Sequence, residues 1–336
     1  MQRVLLTGAT GFIGHHLIER LQKEDCIVRC FVRNPEKTPV LFSGTVSRPL
    51  EIVQGDVLRP ETLPAAVADC DVAVHLAGKV RARNYKEFEE TNVHGTENLL
   101  NAAQQTGKLN RFVYVSSLAA AGPARPEAPK RETNVPVPVT DYGRSKLAAE
   151  QVVRKFADDF PCSLVRPCIV FGERDKMNLE LFQTVKKLGF MPNPGFRKRY
   201  YSWIHAADLA DLIVKVIYRG ERIKPELPDK GVYFASANNG LCLKDIGTEI
   251  GRSLGREKTM LFRCPPMAVW STATYYEVVK QLTGRDVPYD WAKAYESVKP
   301  WCCSSDKAAE QLDFSPPLLA KRIQQTTDWY EKNGLL

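Results

Sequence analysis

A tyrosine and a lysine four positions apart, Tyr142 and Lys146, offer the clearest chemistry in the sequence. The segment 141–156 has the pattern of a helix with Asp141 at or near its N-cap, and the spacing places both side chains on one helix face. An ammonium group beside a phenol can stabilise the phenolate and lower a pKa that starts at about 10. Such a tyrosine can exchange a proton near neutral pH. Because this spacing is common in surface helices, the pair needs a matching site around it.

Two hydroxyls follow a predicted strand further upstream. Residues 112–116 form an apolar run that ends in Ser116 and Ser117, and Ser117 lies 25 residues before Tyr142. Ligands bind at the carboxyl ends of strands in open parallel sheets. The hydroxyls are therefore placed where a ligand is expected.

A glycine-rich turn connects the first predicted strand to the first predicted helix. Gly8, Gly11 and Gly14 are spaced Gly-x-x-Gly-x-x-Gly, one residue longer in the first gap than the usual dinucleotide fingerprint. Such glycines let the backbone approach a diphosphate closely, and the helix N-terminus offers N–H groups to the anion. A purely structural turn is the alternative, which the position between strand and helix disfavours.

The end of the second predicted strand indicates which dinucleotide is bound. An Asp or Glu there usually binds the ribose hydroxyls of NAD(H), but this sequence has Val32-Arg33-Asn34. Arg33 can pair with a 2′-phosphate and offers no acceptor to the hydroxyls. We therefore predict NADP(H) as the cofactor, with NAD(H) possible, and Arg29 and Lys37 as weaker accessory contacts. The alternative is that Arg33 is a solvated loop cation.

These residues lie on a predicted alternation of strands and helices. Near-continuous apolar runs, typical of a parallel sheet covered on both faces, predict strands at 4–7, 27–32, 51–54, 72–76 and 112–116. Helical spacing predicts helices at 15–23, 61–68 and 92–106. The predicted class is α/β with a doubly wound sheet.

The second half of the chain is less regular. After Ser117, five prolines predict a long loop that lines a site or forms a surface excursion. Further strands are predicted at 164–171 and 232–235, and a helix at 206–218. We predict a cofactor-binding domain of 1–171 and 205–235, and a smaller, C-terminal substrate-binding domain of 172–204 and 236–336.

Composition excludes several classes of protein. Of 336 residues, 44% are hydrophobic and 26% charged, which excludes a largely disordered, collagen-like or coiled-coil chain. The formal charge, 47 − 39 = +8, favours an anionic small ligand over nucleic acid. Nine Cys without a Cys-x-x-Cys pair predict neither a disulfide framework nor a metal site, and no apolar run approaches a membrane span. We predict a cytoplasmic protein.

Together the motifs resemble the extended short-chain dehydrogenase/reductase superfamily, whose members include NAD-dependent epimerases and dehydratases. The resemblance covers nearly the whole chain. Its eight ordered motifs are the glycine turn, Gly55-Asp56, His75-Leu76-Ala77-Gly78, Thr91-Asn92-Val93-His94-Gly95-Thr96, Ser116-Ser117, Tyr142-Gly143-Arg144-Ser145-Lys146, Arg166-Pro167-Cys168-Ile169-Val170-Phe171-Gly172 and Trp203-Ile204-His205-Ala206-Ala207-Asp208-Leu209-Ala210. It implies a Rossmann-type sheet and a homodimer formed through long helices around Asn92 and Tyr142.

The resemblance also implies residue roles. Ser117, Tyr142 and Lys146 would be catalytic, with Ser117 rather than Ser116 polarising the substrate oxygen. The implied cofactor contacts are Gly8, Thr10, Gly11, Phe12, Ile13 and Gly14 at the diphosphate, Arg33, Asp56 and Val57 at the adenosine, Leu76, Ala77, Gly78, Val115, Tyr142 and Lys146 near the nicotinamide ribose, and Pro167, Ile169 and Val170 at the nicotinamide. Implied structural roles fall on Asn92, on His205 and Asp208 at the second-domain connection, and on His15, His16, His75 and His94.

Two departures from the family pattern narrow the reaction. Dehydratases of the family carry an acidic residue soon after the catalytic hydroxyl, whereas Ser117 is followed by Leu118-Ala119-Ala120-Ala121. Nucleotide-sugar members tend to have an arginine four residues before His205, where this chain has Tyr201, although Arg197, Lys198 and Arg199 are close in sequence. The strand end 28–35 looks like that of dihydroflavonol-reductase-like members, and 329–334 looks like the 3β-hydroxysteroid-dehydrogenase-like branch.

The leading hypothesis is hydride transfer between NADP(H) and a carbonyl or secondary alcohol of a mostly apolar small molecule. A nucleotide-sugar 4-epimerase is the alternative within enzymes. A non-catalytic NADPH-sensing protein is a third possibility, which the complete set of Ser117, Tyr142 and Lys146 disfavours.

Overall fold

The computed structural model describes residues 1–37, 46, 48–284, 287 and 289–336. Its strands are β1 Gln2–Thr7, β2 Cys26–Val32, β3 Glu51–Gln54, β4 Val72–His75, β5 Arg111–Val115, β6 Cys162–Pro167, β7 Ile169–Phe171, β8 Phe190–Pro194, β9 Tyr200–Tyr201, β10 Trp203–His205, β11 Val232–Ala235, β12 Leu241–Cys242 and β13 Met260–Cys264. Its helices are α1 Phe12–Leu21, α2 Leu63–Val67, α3 Tyr85–Phe88, α4 Gly95–Thr106, α5 Leu118–Ala121, α6 Asp141–Lys155, α7 Leu179–Leu188, α8 Ala206–Arg219, α9 Leu243–Ser253, α10 Pro266–Thr283, α11 Trp291–Ser297, α12 Asp306–Leu312 and α13 Leu319–Lys332. A π-helical stretch, Glu89–His94, joins α3 to α4.

In the part of the chain that the structure describes, seven parallel strands form the central sheet in the order β3-β2-β1-β4-β5-β6-β11. The strand order reverses between β1 and β4: β2 and β3 lie on one side of β1, and β4 and the later strands lie on the other. Open α/β sheets bind ligands beyond the carboxyl ends of the strands at such a point. The predicted Rossmann-type doubly wound sheet is confirmed.

Apolar side chains fill both faces of this sheet. Val4 and Leu6 of β1 belong to the core under α1 and α8, whereas Leu5, which points the other way, belongs to the core under α2 and α4. Alternate residues of one strand therefore anchor opposite helix layers, which explains why the strands read as continuous apolar runs.

The predicted strand at 164–171 is wrong, because the segment forms two strands. The backbone N–H of Cys168 bonds to Ala235 O of β11, and the next N–H, of Ile169, bonds to Ser202 O. The chain thus leaves the central sheet at Cys168, and β7 pairs with β10 instead. An apolar run carries no signal for this change of partner.

Outside the central sheet, the described residues form three two-stranded sheets, β7 with β10, β9 with β12, and β8 with β13. Helices α7, α9, α10 and α11 come before, between or after these strands in the chain. The division into cofactor and substrate domains stays a prediction. Within the described part of the chain, no helix combines the length and apolarity needed to cross a membrane.

Candidate functional site

The glycine turn forms a narrow bend between β1 and α1. Gly8 has φ +71°, and the backbone after β4 passes so close to it that a Cβ there would lie 2.8 Å from Ala77 N. A Cβ on Gly14 would lie 2.4 Å from Gly8 O. Gly11 is the N-cap of α1 and has no side chain to bond the first N–H groups of the helix. The bend therefore leaves backbone donors open to an anion, as a diphosphate requires.

The remaining turn residues flank these glycines. Thr10 is exposed, and Phe12 and Ile13 are partly buried in the first turn of α1. Phe12 lies against His16, with ring centroids 5.6 Å apart. The turn is thus backed by packed side chains and open on its outer side.

A second wall comes from the end of β4. Thr7 Oγ1 accepts a hydrogen bond from Ala77 N at 3.2 Å and lies 2.6 Å from His75 Nδ1. Burial, together with the charge of Lys146, lowers the pKa of His75 to about 3, so the ring is neutral. A Cβ on Gly78 would lie 2.9 Å from Asn92 Oδ1, so a glycine is needed for the backbone to pass Asn92. These contacts hold the ends of β1 and β4 side by side.

The predicted adenosine contacts lie at the carboxyl ends of β2 and β3. Arg33 follows β2 directly and is exposed, and its backbone carbonyl accepts a hydrogen bond from Gln54. The Asp56 carboxylate accepts from Leu58 N at 3.0 Å, and Val57 is buried. The site therefore offers a cation and an apolar surface at this edge.

The accessory role predicted for Arg29 is wrong. Its guanidinium bonds to Glu51 Oε2 at 2.8 Å and to the backbone carbonyls of Ala66 and Ala68. These contacts lie beside the start of β3, away from the carboxyl end of β2, so the Arg29 guanidinium stabilises the packing of β2 against β3 and α2. The side chain of Lys37 lies outside the described residues.

Ser117, Tyr142 and Lys146 meet at the carboxyl end of β5. Ser117 caps the short helix α5 by accepting from Ala119 N at 3.1 Å, and it is hydrogen-bonded to the Tyr142 phenol. Lys146 Nζ donates to Val115 O at 2.8 Å and lies 4.3 Å from the centre of the Tyr114 ring. Tyr142 and Lys146 lie on one face of helix α6, and Ser117 lies just after the end of β5.

Burial dominates the electrostatics of this cluster. It raises the pKa of Tyr142 to about 12, against the hydrogen bond with Ser117, which lowers it. It lowers the pKa of Lys146 to about 7, against the carboxylate of Glu150, which raises it. The phenol therefore keeps its proton over the physiological range, and the lysine titrates near neutrality.

Asn92 supports this cluster from the π-helical stretch. Its amide accepts from Lys79 N at 2.7 Å and donates to Lys79 O at 3.0 Å and Ser145 Oγ at 2.9 Å. Ser145 in turn donates to Tyr142 O at 2.8 Å. Asn92 thus ties the loop after β4 to the helix that carries Tyr142 and Lys146.

Pro167, Ile169 and Val170 lie where the chain leaves the central sheet. Pro167 ends β6, and Ile169 and Val170 are only partly buried in β7. Val170 O accepts from Asn178 Nδ2 at 3.0 Å. The break at Cys168 sets this pair of apolar residues at the carboxyl edge, beyond the end of the sheet.

The connection after β10 is a buried polar cluster around Glu173. His205 caps α8 by accepting from Ala207 N, and its Nε2 lies 3.1 Å from Glu173 Oε2. His16 Nε2 bonds Glu173 O at 3.0 Å. The next helical turn is held by Asp208, whose carboxylate binds the Arg322 guanidinium. Sequence reasoning gave no role to Glu173, because no motif spacing marks it.

An open cavity lies in front of Tyr142. Its walls are the loop before α3, the start of α6, and residues on and near α10 and α11. The lining includes Val80, Arg81, Ala82, Arg83, Phe88, Lys280, Val287, Ala292, Lys293 and Glu296. Sequence reasoning missed these residues, because they share no motif and meet only in the folded chain.

The family model described as NAD dependent epimerase/dehydratase family matches residues 4–227. A ceramide reductase from Caulobacter vibrioides is 28% identical over 334 residues, with 99% of this chain and 96% of that protein covered. N-acetyl-alpha-D-glucosaminyl-diphospho-ditrans,octacis-undecaprenol 4-epimerase from Escherichia coli O157:H7 is 24% identical over 339 residues, with 97% and 94% covered.

Among solved structures, UDP-glucose 4-epimerase from Thermotoga maritima has the same fold, with a TM-score of 0.76, 17% identity, and 99% of each chain covered. Related proteins are thus named as reductases and epimerases. The predicted resemblance is confirmed: the chain belongs to the NAD dependent epimerase/dehydratase family and is a nicotinamide-dinucleotide-dependent enzyme of the oxidoreductase and epimerase type.

Proposed function

We propose that this enzyme transfers hydride between NADP(H) and a carbonyl or secondary alcohol of a mostly apolar substrate, with Tyr142 as the general acid or base. The observation that carries the proposal is the meeting of Ser117, Tyr142 and Lys146 at the carboxyl end of β5, where Tyr142 also lines the cavity. The glycine turn fits the diphosphate of a dinucleotide, because Gly11 leaves the first N–H groups of α1 without a side-chain cap, and Cβ atoms on Gly8 and Gly14 would collide with neighbouring backbone.

The three side chains divide the proton chemistry among them. The bound nicotinamide would supply or accept the hydride. In the reductive direction Tyr142 donates its proton to the substrate oxygen, and Ser117 donates a hydrogen bond to the same oxygen as negative charge develops there. Lys146, in its ammonium form, stabilises the phenolate that remains on Tyr142.

Charge pairing in the cavity supports an apolar substrate. Lys280 pairs with Asp290 at 3.1 Å, and Lys293 pairs with Glu296 at 2.7 Å. Tyr201 is buried, and its hydroxyl donates to Ser297 O at 2.7 Å. Because both lysines already have carboxylate partners, they are poorly placed to bind a diphosphate, and the exposed Arg81 is a cation of this wall outside these pairs. The similarity to a protein named ceramide reductase supports a ketone on a long-chain lipid as the substrate class.

NADP(H) is favoured by the charge at the end of β2. Arg33 is exposed there, and no carboxylate of a described residue lies within ion-pair distance of it. An arginine so placed can bind a 2′-phosphate in a planar, charge-assisted contact.

The test is a panel of ketones carrying long alkyl chains or fused rings, assayed with NADPH labelled with deuterium at C4. We expect deuterium in the alcohol product and a loss of about 10²–10⁴-fold in turnover for Tyr142→Phe, because the proton donor is removed. Tyr218→Phe, a change at a surface tyrosine remote from the cavity, is the matched control and should keep parent turnover. Near-normal turnover by Tyr142→Phe would overturn the mechanism.

A nucleotide-sugar 4-epimerase is the second candidate, because a relative named as a 4-epimerase of a diphosphate-linked sugar spans nearly all of this chain. The same Tyr142 would serve it, since epimerisation also passes through a ketone. An epimerase returns the hydride, so it should retain a tightly bound oxidised cofactor and consume no NADPH. Mass spectrometry of the purified protein separates the two: exchangeable NADPH supports the reductase.

A further inference from the structure

Helix α10 is an exposed helix whose outer side carries no charge. Only Val269 and Ala273 are buried, and both pack toward α11. The outer side, by helical spacing, consists of Met267, Ser271, Thr274, Tyr275, Val278 and Leu282. Met267 is 80% exposed and Leu282 81%. Surface helices normally present charged residues to water, so this apolar side points to something that covers it.

Exposed apolar side chains also lie on the strand that precedes α10 and on the loop beside it. Met260 and Phe262 are exposed on β13, and Phe262 lies against Phe190 of β8, with ring centroids 5.0 Å apart. Gly195 N bonds Cys264 O at 2.8 Å, which fixes the loop after β8 beside the start of α10. That loop exposes Phe196. We call the outer side of α10, Met260, Phe262 and Phe196 the docking face.

Basic residues border the docking face. Between residues 181 and 207 the sequence contains five Lys or Arg and no Asp or Glu. Arg197, Lys198 and Arg263 are exposed, and no described carboxylate lies within ion-pair distance of them. Arg199 differs, because its Nε donates to Pro194 O at 2.9 Å. The cations on the loop are thus available to an anionic partner.

We propose that the docking face binds the surface of a lipid bilayer that contains anionic headgroups. A helix with an apolar outer side lies in the plane of the interface, and bordering Lys and Arg side chains bind anionic lipids. The charge argues against a second copy of this chain, because pairing the same face would bring the same cations together. The apolar side chains argue against an acidic protein surface alone.

The geometry connects this surface to the cavity. Lys280, on the inner side of α10, lines the cavity, and α11, which packs on α10, contributes Lys293 and Glu296 to the same wall. Glu296 also accepts a hydrogen bond from Thr140, the N-cap of α6. One helix thus separates the bilayer surface from the cavity, and a lipid-derived substrate has a short path between them. Membrane binding goes beyond the proposed reaction and is measured without turnover.

The test is co-sedimentation of the full chain with phosphatidylcholine vesicles made with and without phosphatidylglycerol. We expect binding to the anionic vesicles that weakens at high salt, because surface charge is screened. The double variant Met267→Glu/Leu282→Glu should bind at least about tenfold more weakly, because carboxylates replace apolar contacts at an anionic surface. Arg197→Glu/Lys198→Glu should lower binding by about tenfold or more and reduce the salt dependence.

Matched controls change equally exposed residues elsewhere. Val135→Glu/Leu318→Glu and Lys23→Glu/Lys155→Glu alter exposed side chains away from the docking face and should bind as the parent does. All variants should keep the parent's circular dichroism and unfolding midpoint. No parent binding to anionic vesicles, or equal losses in the control variants, would overturn the proposal. So would a parent dimer in solution that Met267→Glu/Leu282→Glu converts to monomer, since the face would then join two copies.

Discussion

Lys146 is the residue on which the proton balance of the site depends. Its ammonium group is buried, donates to Val115 O, and lies near Gly78, where an added Cβ would be 4.0 Å from Nζ. Burial lowers its pKa to about 7, and Glu150 opposes this decrease. Tyr142, with a pKa raised to about 12, keeps its proton through the same range. The group that changes charge near neutral pH is therefore the lysine and not the tyrosine.

This difference predicts the pH dependence of ketone reduction. Below pH 7 the ammonium form of Lys146 stabilises the developing phenolate, and above it that stabilisation is lost, so kcat/KM should fall as the pH rises through about 7. Lys146→Arg keeps a charge that does not titrate in this range and should show lower activity without the fall. Lys155→Arg, an exposed position on the same helix, is the control. An unchanged falling limb in Lys146→Arg would assign it to another group.

The predicted preference for NADP(H) over NAD(H) depends on Arg33. Replacing it by Asp removes the cation for a 2′-phosphate and adds an acceptor for ribose hydroxyls. We expect Arg33→Asp to weaken NADPH at least about tenfold while NADH binds as well or better, because charge-assisted hydrogen bonds contribute about 1.5–3 kcal/mol. Fluorescence titration with each dinucleotide measures both affinities. Equal affinities of the parent for NADPH and NADH would contradict the assignment.

At the scale of elements, the predictable parts are those that local pattern controls. The strand predicted at 4–7 follows from an apolar run, and the helix predicted from Asp141 follows from helical spacing. The ends of both elements in the structure lie within one or two residues of the predicted ends. The N-cap of α6 is Thr140, whose Oγ1 accepts from Gly143 N, so Asp141 is the first helical residue. Helix α4 begins later than predicted, because the π-helical stretch precedes it.

The unpredictable parts depend on contacts between distant residues. At the break, Cys168 bonds to a residue 67 positions away and Ile169 bonds to a residue 33 positions away, and no local pattern contains either contact. The cavity wall joins residues near 80 to residues near 290 for the same reason. Motif residues such as Tyr142 and Lys146 could be named from the sequence because a single helix brings them together, whereas Glu173 and Arg81 could not.

A buried ion pair fixes the helix that carries Tyr142. Glu150, on α6, accepts from Ser116 Oγ at 2.5 Å and from Arg166 at 2.9 and 2.6 Å, which joins α6 to the end of β5 and to β6. Both charged side chains are almost fully buried. Lys146 lies one turn before Glu150 on the same helix, so this contact also sets the height of Lys146 above the sheet.

Removing the carboxylate should therefore cost stability. We expect Glu150→Ala to lower the free energy of unfolding by about 3–5 kcal/mol, because it leaves Arg166 buried without a counter-charge. Glu310→Ala, at an exposed position on α12, should change it by less than about 0.5 kcal/mol. Urea unfolding followed by circular dichroism measures both. A loss for Glu150→Ala no larger than for the control would show that the pair does not hold the helix.

At the scale of the whole molecule, the last helix closes the fold over the segment that follows β7. Tyr330 of α13 is fully buried against Phe182 of α7, with ring centroids 5.3 Å apart. Its hydroxyl donates to Asp175 O at 2.7 Å. One side chain near the end of the chain thus joins α13 to α7 and to the loop beyond the predicted nicotinamide contacts Ile169 and Val170.

Two substitutions separate the contributions of the ring and the hydroxyl of Tyr330. Tyr330→Ala should lower the free energy of unfolding by about 3–5 kcal/mol, because a buried aromatic ring leaves a cavity. Tyr330→Phe should lower it by about 1 kcal/mol, because only the hydrogen bond is lost. Tyr275→Ala, at an exposed tyrosine, is the matched control in urea unfolding. If Tyr330→Ala unfolded at the control's midpoint, α13 would not be part of the cooperative fold. If instead it unfolded earlier but bound the dinucleotide normally, the helix would stabilise the chain without shaping the cofactor site.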